Sequence, residues 1–264
     1  MKKILTYLLL AFGLTWLLWI PMAMESQGYT LGQPFLALAS IGNFGAFGPL
    51  VAALLVIFLF EGFNKLKKVL LSFVKLPKQK KWLLIALIIF PITIGGSLLV
   101  TSLFGVEYTF PVEVSTPFIL PIVFIYILFL GGPLQEELGW RRILFDTLQN
   151  KISPLLASIA TGFIWGIWHI PQFFIAGNDM YYENPFLGLL VSTILISIIF
   201  GWLYNKTGKS MLTMLLIHTA FNFSHYVFPI LQNDMASLLN ILIIGGFVLW
   251  ILISEGTNLA KLKK

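Results

Sequence analysis

The sequence contains no cysteine and little charge of either sign. Without cysteine there are no disulfides, no thiolate nucleophile and no cysteine metal ligand. Hydrolytic chemistry in this chain must therefore use carboxylates, histidines, hydroxyls or a metal ion. Charged residues make up 11% of the 264 positions, against about 25% in a typical soluble domain. That deficit excludes a soluble globular fold.

Apolar sequence is abundant, with 58% hydrophobic residues and a mean hydropathy of +0.90. Runs long enough to span about 30 Å of hydrocarbon lie at roughly 4–24, 36–60, 82–104, 117–139, 155–176, 186–204, 211–230 and 237–254. The first run follows two lysines like a signal peptide, but its core is too long and its cleavage site is poor. No internal repeat or linker interrupts the chain. We therefore predict an all-α polytopic membrane protein of about eight transmembrane helices, in a single domain over residues 1–264.

The charged residues predict how these helices are oriented. Lysines and arginines occur at both ends of the chain and in every second connection, whereas the other connections carry only acidic residues. The positive-inside rule then places both termini in the cytoplasm of a multi-pass protein, which we assign to the cell membrane. The net charge of +6 is explained by these loops and does not indicate a nucleic-acid partner.

A basic segment at residues 61–81 has apolar residues at helical spacing. This pattern predicts an amphipathic helix on the inner leaflet. The alternative is a docking surface for an acidic partner.

The most informative stretch is GGPLQEELGWRR at residues 131–142, which follows an apolar run directly. A carboxylate inside the membrane costs about 2.5–3.5 kcal/mol, so its presence points to function. Pro133, after two glycines, predicts a helix break and restart. Glu137 and Arg141 are four residues apart and should form an ion pair. Glu136 points about 100° away from that pair, which suits it to work as a general base.

Two further polar clusters occur later in the chain. Trp165 and His169 are four residues apart on the fifth predicted helix, and His218 and Asn222 are four apart on the seventh. With a rise of about 1.5 Å per residue, both clusters and Glu136 fall at a similar depth. We therefore expect a hydrated cavity that opens to the cytoplasm and holds a carboxylate, two imidazoles and an amide.

Each cluster also has an ordinary structural explanation. A lone membrane histidine or asparagine usually forms a helix–helix hydrogen bond, and the tryptophans and His225 are typical packing or interfacial residues. The two glutamates alone could be anchored by Arg141 and Arg142. The coincidence of three polar insertions at one depth favours a functional site.

Together these residues resemble a known family. EExxxR at residues 136–141, WxxxH at 165–169 and HxxxN at 218–222 resemble the CAAX-prenyl-protease and bacteriocin-processing (CPBP, or Abi) family of intramembrane metalloproteases. GPLVAALLV at 48–56 looks like its early helix. The resemblance covers about residues 40–225, with a catalytic core at about 117–225. One departure is Trp165, where the family usually has phenylalanine.

The resemblance implies that the chain is an endopeptidase cleaving peptide bonds within the membrane. Glu136 and His169 would activate water, and His218 and Asn222 would bind the developing oxyanion. Glu137, Arg141 and Trp165 would support them.

Whether a metal takes part is open from the sequence. Catalytic zinc normally has three protein ligands, and Glu136, His169 and His218 could hold zinc or another divalent ion. Asn222 is a poor zinc ligand and no HExxH motif is present. We favour a metal-free mechanism with glutamate-activated water.

The sequence also leaves substrate, partners and oligomeric state open. A membrane-associated or lipidated peptide, a bacteriocin precursor or a signalling peptide would fit equally. The alternatives to an enzyme are a non-catalytic bacteriocin-immunity or scaffold protein using the same cavity, and a small proton-coupled transporter. The transporter is disfavoured because no inverted repeat is present.

Overall fold

The computed structural model describes residues 2–260, which contain helices and turns and no strand. The predicted all-α class is confirmed. The three terminal lysines used in the charge argument, Lys261, Lys263 and Lys264, lie outside the described residues. The described α-helices are α1 (Lys2–Ser26), α2 (Gln33–Ser40), α3 (Gly48–Glu61), α4 (Phe63–Ser72), α5 (Lys81–Leu103), α6 (Leu120–Leu130), α7 (Pro133–Glu137), α8 (Asp146–Leu148), α9 (Pro154–Trp168), α10 (Phe186–Lys206), α11 (Met211–Val227) and α12 (Asp234–Glu255).

Within residues 2–260, six helical segments are long and apolar enough to cross a membrane. They are Lys2–Ser26, Gly42–Glu61, Lys81–Leu103, Pro117–Leu148, Phe186–Lys206 and Asp234–Asn258. The fifth and seventh predicted spans correspond to α9 and α11, which have 15 and 17 residues and are shorter than the roughly 20 residues of a typical span. An integral multi-pass membrane protein is confirmed, while the count of eight spans and the side of the termini stay predictions.

Helix α9 ends earlier than the apolar run suggested. The run extends to residue 176, but the α-helix stops at Trp168 and a 3-10 helix, Ile170–Phe174, follows. Pro171 explains the change, because it has no N–H to continue the α-helical ladder and disfavours helical geometry at the preceding residue. His169 therefore caps the helix rather than lying within it.

The described chain divides into two compact units by its internal contacts. The first unit combines the chain up to Leu70 with Gln135–Ile198, and the second combines Leu71–Leu134 with the chain from Ile199 onward. Each unit is assembled from segments distant in sequence. The prediction of a single domain stays a prediction.

In the first unit, α1 packs closely on α3 at small residues. A β-carbon at Gly48 would lie 2.9 Å from the carbonyl oxygen of Ala11 and would also clash with Thr15. The Thr15 hydroxyl donates to the Gly45 carbonyl at 2.8 Å. Small residues allow such close helix contacts in membranes, and this one fixes α1 beside the polar residues described below.

A second close contact in the first unit joins α9 to α10. A β-carbon at Gly162 would lie 2.6 Å from Ile194 Cα, and one at Gly166 would lie 2.8 Å from Leu190 Cδ1. The two glycines form a Gly-x-x-x-Gly motif, which lets two helix backbones approach. Trp165 and His169 are carried on the helix held in this way.

The second unit has an aromatic core. The Phe90 ring of α5 contacts Phe200 and Phe221 at centroid distances of 6.1 and 4.8 Å. Trp202 contacts Trp82 and Phe247 at 5.6 and 5.8 Å. These rings pack α5, α10, α11 and α12 against one another within the unit.

The helical part of the basic segment is confirmed as α4. Val69 is buried, but Phe63 and Leu70 on the predicted apolar face are exposed to the surroundings. An exposed apolar strip flanked by lysines fits a membrane surface, and the inner-leaflet position stays a prediction.

Candidate active site

The predicted helix break before the two glutamates is present. Helix α6 ends at Leu130, and Gly132 has a φ of +112° before α7 begins at Pro133. That backbone conformation is readily adopted only by glycine. The restart places Glu136 within one turn of the beginning of α7.

The helix that carries the glutamates then changes type. The segment Leu138–Phe145 is π-helical, and the Asp146 N–H donates a hydrogen bond to the Arg141 carbonyl, five residues earlier in the chain. π-Helical turns are rare and occur often at functional sites. Nothing in the residue spacing of this stretch distinguishes a π-helix from an α-helix, so the sequence did not predict it.

Glu137 and Arg141 form the expected ion pair. Arg141 Nε donates to Glu137 Oε2 at 3.1 Å, and both side chains have no solvent exposure. Arg141 Nη1 also donates to Ser197 Oγ at 2.9 Å, and the guanidinium lies 5.6 Å from the Trp165 ring centroid. A fully buried charge pair of this kind requires both partners.

Glu136 accepts hydrogen bonds from two tryptophans. Its Oε2 atom accepts hydrogen bonds from Trp165 Nε1 at 2.6 Å and from Trp140 Nε1 at 3.2 Å, and the side chain is 6% exposed. Both donors are neutral, so they orient the carboxylate without adding positive charge. The sequence analysis did not identify Trp140 as a site residue. Trp140 lies four residues after Glu136, the spacing that indicates a contact on one helix face.

His169 is fixed by the same tryptophan that binds Glu136. Its Nδ1 lies 2.9 Å from the Trp165 carbonyl oxygen, and the side chain is 6% exposed. Since a carbonyl only accepts, Nδ1 carries the proton, and Nε2 is the basic nitrogen of the neutral ring. Trp165 therefore links the carboxylate and the imidazole, through its indole N–H and its backbone oxygen.

Tyr181 stacks on the imidazole and has no signal in the sequence. Its ring centroid lies 5.4 Å from that of His169, with 21° between the planes. Burial, and to a lesser degree the negative charge of Glu136, raises the pKa of Tyr181 above its ordinary value. The phenol is therefore neutral at physiological pH.

Helix α1 supplies more aromatic neighbours, which the sequence analysis also missed. Trp19 contacts Trp168 at 4.6 Å between ring centroids, and Trp16 Nε1 donates to the Trp168 carbonyl at 3.0 Å. Tyr7 meets the Trp140 ring edge-on at 5.6 Å. Aromatic residues are common in membrane helices, so nothing marked these positions.

The remaining predicted residues belong to the second unit. His218 is buried on α11 with its ring 5.7 Å from Phe200. Asn222 Nδ2 donates to the Gly131 carbonyl at 2.7 Å, and an amide nitrogen has a second N–H. His225 Nδ1 lies 3.1 Å from the Phe221 carbonyl.

The structure thus brings together five of the seven predicted site residues, all in the first unit: Glu136, Glu137, Arg141, Trp165 and His169. The common site that these residues would form with His218 and Asn222 stays a prediction.

The metal-free mechanism stays a prediction. Glu136 and His169 are two potential ligands, one fewer than catalytic zinc normally takes from a protein. Residues 2–260 contain no group of three or more His, Asp or Glu side chains that could hold a metal ion. We derive no catalytic step through a metal.

Two matches to known proteins agree with the motif pattern. Residues 117–224 match the family described as Rce1-like, type II CAAX prenyl endopeptidase, and this interval contains all seven predicted site residues. The chain is also 27% identical over 241 residues to CAAX prenyl protease 2 of Methanococcus maripaludis, covering 86% of this chain and 85% of that protein.

Proposed function

Since its similarity to the Rce1-like family over residues 117–224 and to CAAX prenyl protease 2 over most of its length indicates a CAAX-type intramembrane protease, we propose that the chain cleaves a peptide bond near a prenylated cysteine of a membrane-associated peptide or protein. Prenylation of a C-terminal C-a-a-X box produces such a substrate. The scissile bond would lie close to the lipid, which explains why a catalytic carboxylate is placed on a membrane helix.

The observation that carries this proposal is the link through Trp165 between Glu136 and His169. Both side chains are buried, and both are held by hydrogen bonds to one residue. A carboxylate and an imidazole that are both fixed by one residue are preorganised to bind one water molecule.

In the proposed reaction, Glu136 takes a proton from water while His169 Nε2 orients that water by a hydrogen bond. The oxygen attacks the carbonyl carbon to give a tetrahedral intermediate. The C–N bond then breaks, and Glu136 returns its proton to the leaving amine. His218 and the second amide N–H of Asn222 would donate to the oxyanion, a role worth about 2.7–4 kcal/mol for one such donor.

The test is cleavage of an internally quenched farnesylated peptide by purified protein in liposomes. The wild type should release the C-terminal tripeptide, and Glu136→Gln should lower the rate by about 10²–10⁴-fold while remaining folded. The matched control is Glu255→Gln, because Glu255 forms an ion pair with Lys206 in the second unit. This variant should keep the wild-type rate. Undiminished cleavage by Glu136→Gln would contradict the catalytic assignment.

The liposome assay and a cell-protection assay together separate an enzyme from a non-catalytic immunity or scaffold protein. A binding role predicts that the protein retains peptide without releasing product, and that Glu136→Gln protects cells as well as the wild type does. Either result would reject the protease proposal.

The proposed step uses no metal ion, and this can be measured. Purified, active protein should contain no stoichiometric zinc or other divalent ion, and chelation should leave the rate unchanged. A stoichiometric ion that is lost together with activity, and restored with it, would contradict the metal-free step.

A further inference from the structure

The loop that follows the active-site histidine, residues 175–185, is tied down at its beginning. Ser26 Oγ accepts from the Ala176 N–H at 3.0 Å, and Gln27 Nε2 donates to the Phe174 carbonyl at 3.1 Å. These bonds attach the start of the loop to the end of α1. The chain after His169 is therefore held against the first helix of the same unit.

The loop is also hydrogen-bonded within itself. The Asn178 carbonyl accepts from the backbone N–H groups of Tyr181 and Tyr182 at 3.0 and 2.8 Å. Asn184 Nδ2 donates to the Asp179 carbonyl at 3.1 Å. Glu183 has a left-handed φ of +69°, which is uncommon for a residue other than glycine. A turn with this many internal bonds presents the Tyr181 ring in a defined position.

The imidazole of His169 is enclosed by aromatic rings. Tyr181 lies nearly parallel to it, Trp168 meets it edge-on at 4.7 Å, and Trp19 lies 6.4 Å away. The hydrogen bond from Nδ1 to the Trp165 carbonyl positions one atom of the imidazole ring. A stacked neighbour restricts rotation of that ring.

We propose that Tyr181 is a positioning residue for the reaction, which holds the His169 ring plane by stacking so that Nε2 points at the attacking water. This inference rests on the proposed function of His169. The aromatic face of Tyr181, rather than its hydroxyl, performs the role, since the contact is between ring faces. Tyr181 also shields His169 from bulk water, which strengthens the hydrogen bonds of the imidazole.

The experiment compares Tyr181→Phe, Tyr181→Ala and Tyr181→Leu with Tyr182→Ala in the farnesyl-peptide assay. Phenylalanine keeps the stacked ring and should retain a kcat within about threefold of wild type. Alanine and leucine remove the ring face and should lower kcat by about 10–100-fold, the effect of a misplaced catalytic group. KM should change less than about twofold, because substrate binding is untouched. Tyr182→Ala is the truncation control in the same loop and should behave as wild type.

Three results would overturn the inference. One is a wild-type kcat for the leucine variant, which would mean that stacking is dispensable. Another is a phenylalanine variant as slow as alanine, which would assign the role to the hydroxyl. The third is a failure of both alanine and leucine variants to give folded, monodisperse protein, which would make Tyr181 a structural residue.

Glu136→Gln is measured in the same series. If Glu136→Gln is inactive while Tyr181→Leu is fully active, only the inference about Tyr181 fails. If Glu136→Gln itself is active, the proposed function fails first.

Discussion

At the scale of single residues, the adjacent Glu136 and Glu137 have different neighbours because their side chains project from different faces of one helix. Glu137 lies against Arg141 in a fully buried ion pair, whereas Glu136 accepts hydrogen bonds from two indoles. The sequence predicted the pair from its four-residue spacing. It did not predict the indole donors, since a tryptophan in a membrane helix is ordinarily a packing residue.

The departure from the family pattern at Trp165 bears directly on the candidate base Glu136. An exchange between tryptophan and phenylalanine preserves an aromatic ring, but only tryptophan has the N–H that donates to Glu136 at 2.6 Å. In this chain the exchange would remove one of the hydrogen bonds that hold the candidate base.

We therefore expect Trp165→Phe to lower the free energy of unfolding by about 1.5–3 kcal/mol, the contribution of a hydrogen bond to a charged group. Trp140→Phe should cost less, because its bond to Glu136 is longer at 3.2 Å. Both values can be measured by denaturant titration in detergent micelles. Equal stability of Trp165→Phe and the wild type would show that this bond is not strong.

The buried ion pair between Glu137 and Arg141 predicts the direction in which substitutions change the free energy of unfolding. Arg141→Met leaves the Glu137 charge buried without its ion-pair partner and should destabilise the protein by about 3–5 kcal/mol. The double variant Glu137→Leu with Arg141→Met removes both charges and should recover much of that loss. Glu255→Gln, which disrupts the more exposed ion pair with Lys206, should cost about 0–1 kcal/mol. A double variant less stable than Arg141→Met would contradict this account.

At the scale of helices, the sequence predicted most elements and their approximate limits. The break at Gly132 and Pro133, the amphipathic α4 and the apolar helices all follow from composition and periodicity. Pro171 also marks the early end of α9 in the sequence. The predicted span ran further because the apolar run continues beyond this proline. The π-helical segment Leu138–Phe145 was not predictable, since residues spaced for an α-helix can equally form a π-helix when tertiary contacts favour it.

The Gly-x-x-x-Gly contact of α9, which the sequence analysis did not identify, holds the helix that carries Trp165 against α10. At Gly162, a β-carbon would meet backbone atoms of α10 at 2.6 Å, which cannot move aside as a flexible side chain can. Gly162→Ala should therefore destabilise the protein by about 1–3 kcal/mol and lower activity through displacement of Trp165. Thermal unfolding and the cleavage assay measure the two effects.

Gly13→Ala on α1 is the matched control, because a β-carbon there would meet nothing within 4 Å. It should be neutral or slightly stabilising, since alanine is the better helix former. If Gly162→Ala and Gly13→Ala behave alike, the close approach of α9 and α10 does not contribute to stability.

At the scale of the whole molecule, composition alone was sufficient to predict an integral multi-pass protein. It was not sufficient to count the spans, because α9 and α11 are shorter than a full crossing. The grouping of Glu136 with His169 was predicted from motif spacing and depth, and the structure contains it within the first unit. Tyr7 and Trp19 come from the distant helix α1 and Tyr181 from the loop after His169, and no periodic pattern in the sequence marked them.

The central claim is that Glu136 activates a water molecule that attacks a peptide bond directly. The most direct measurement is a single-turnover cleavage of the farnesylated peptide in ¹⁸O-labelled water, with enzyme in excess and products analysed by mass spectrometry. We predict one ¹⁸O atom in the new carboxylate of the prenylated product, and essentially no product from Glu136→Gln. Labelled product formed by Glu136→Gln at the wild-type rate, or unlabelled product from the wild type, would contradict the account.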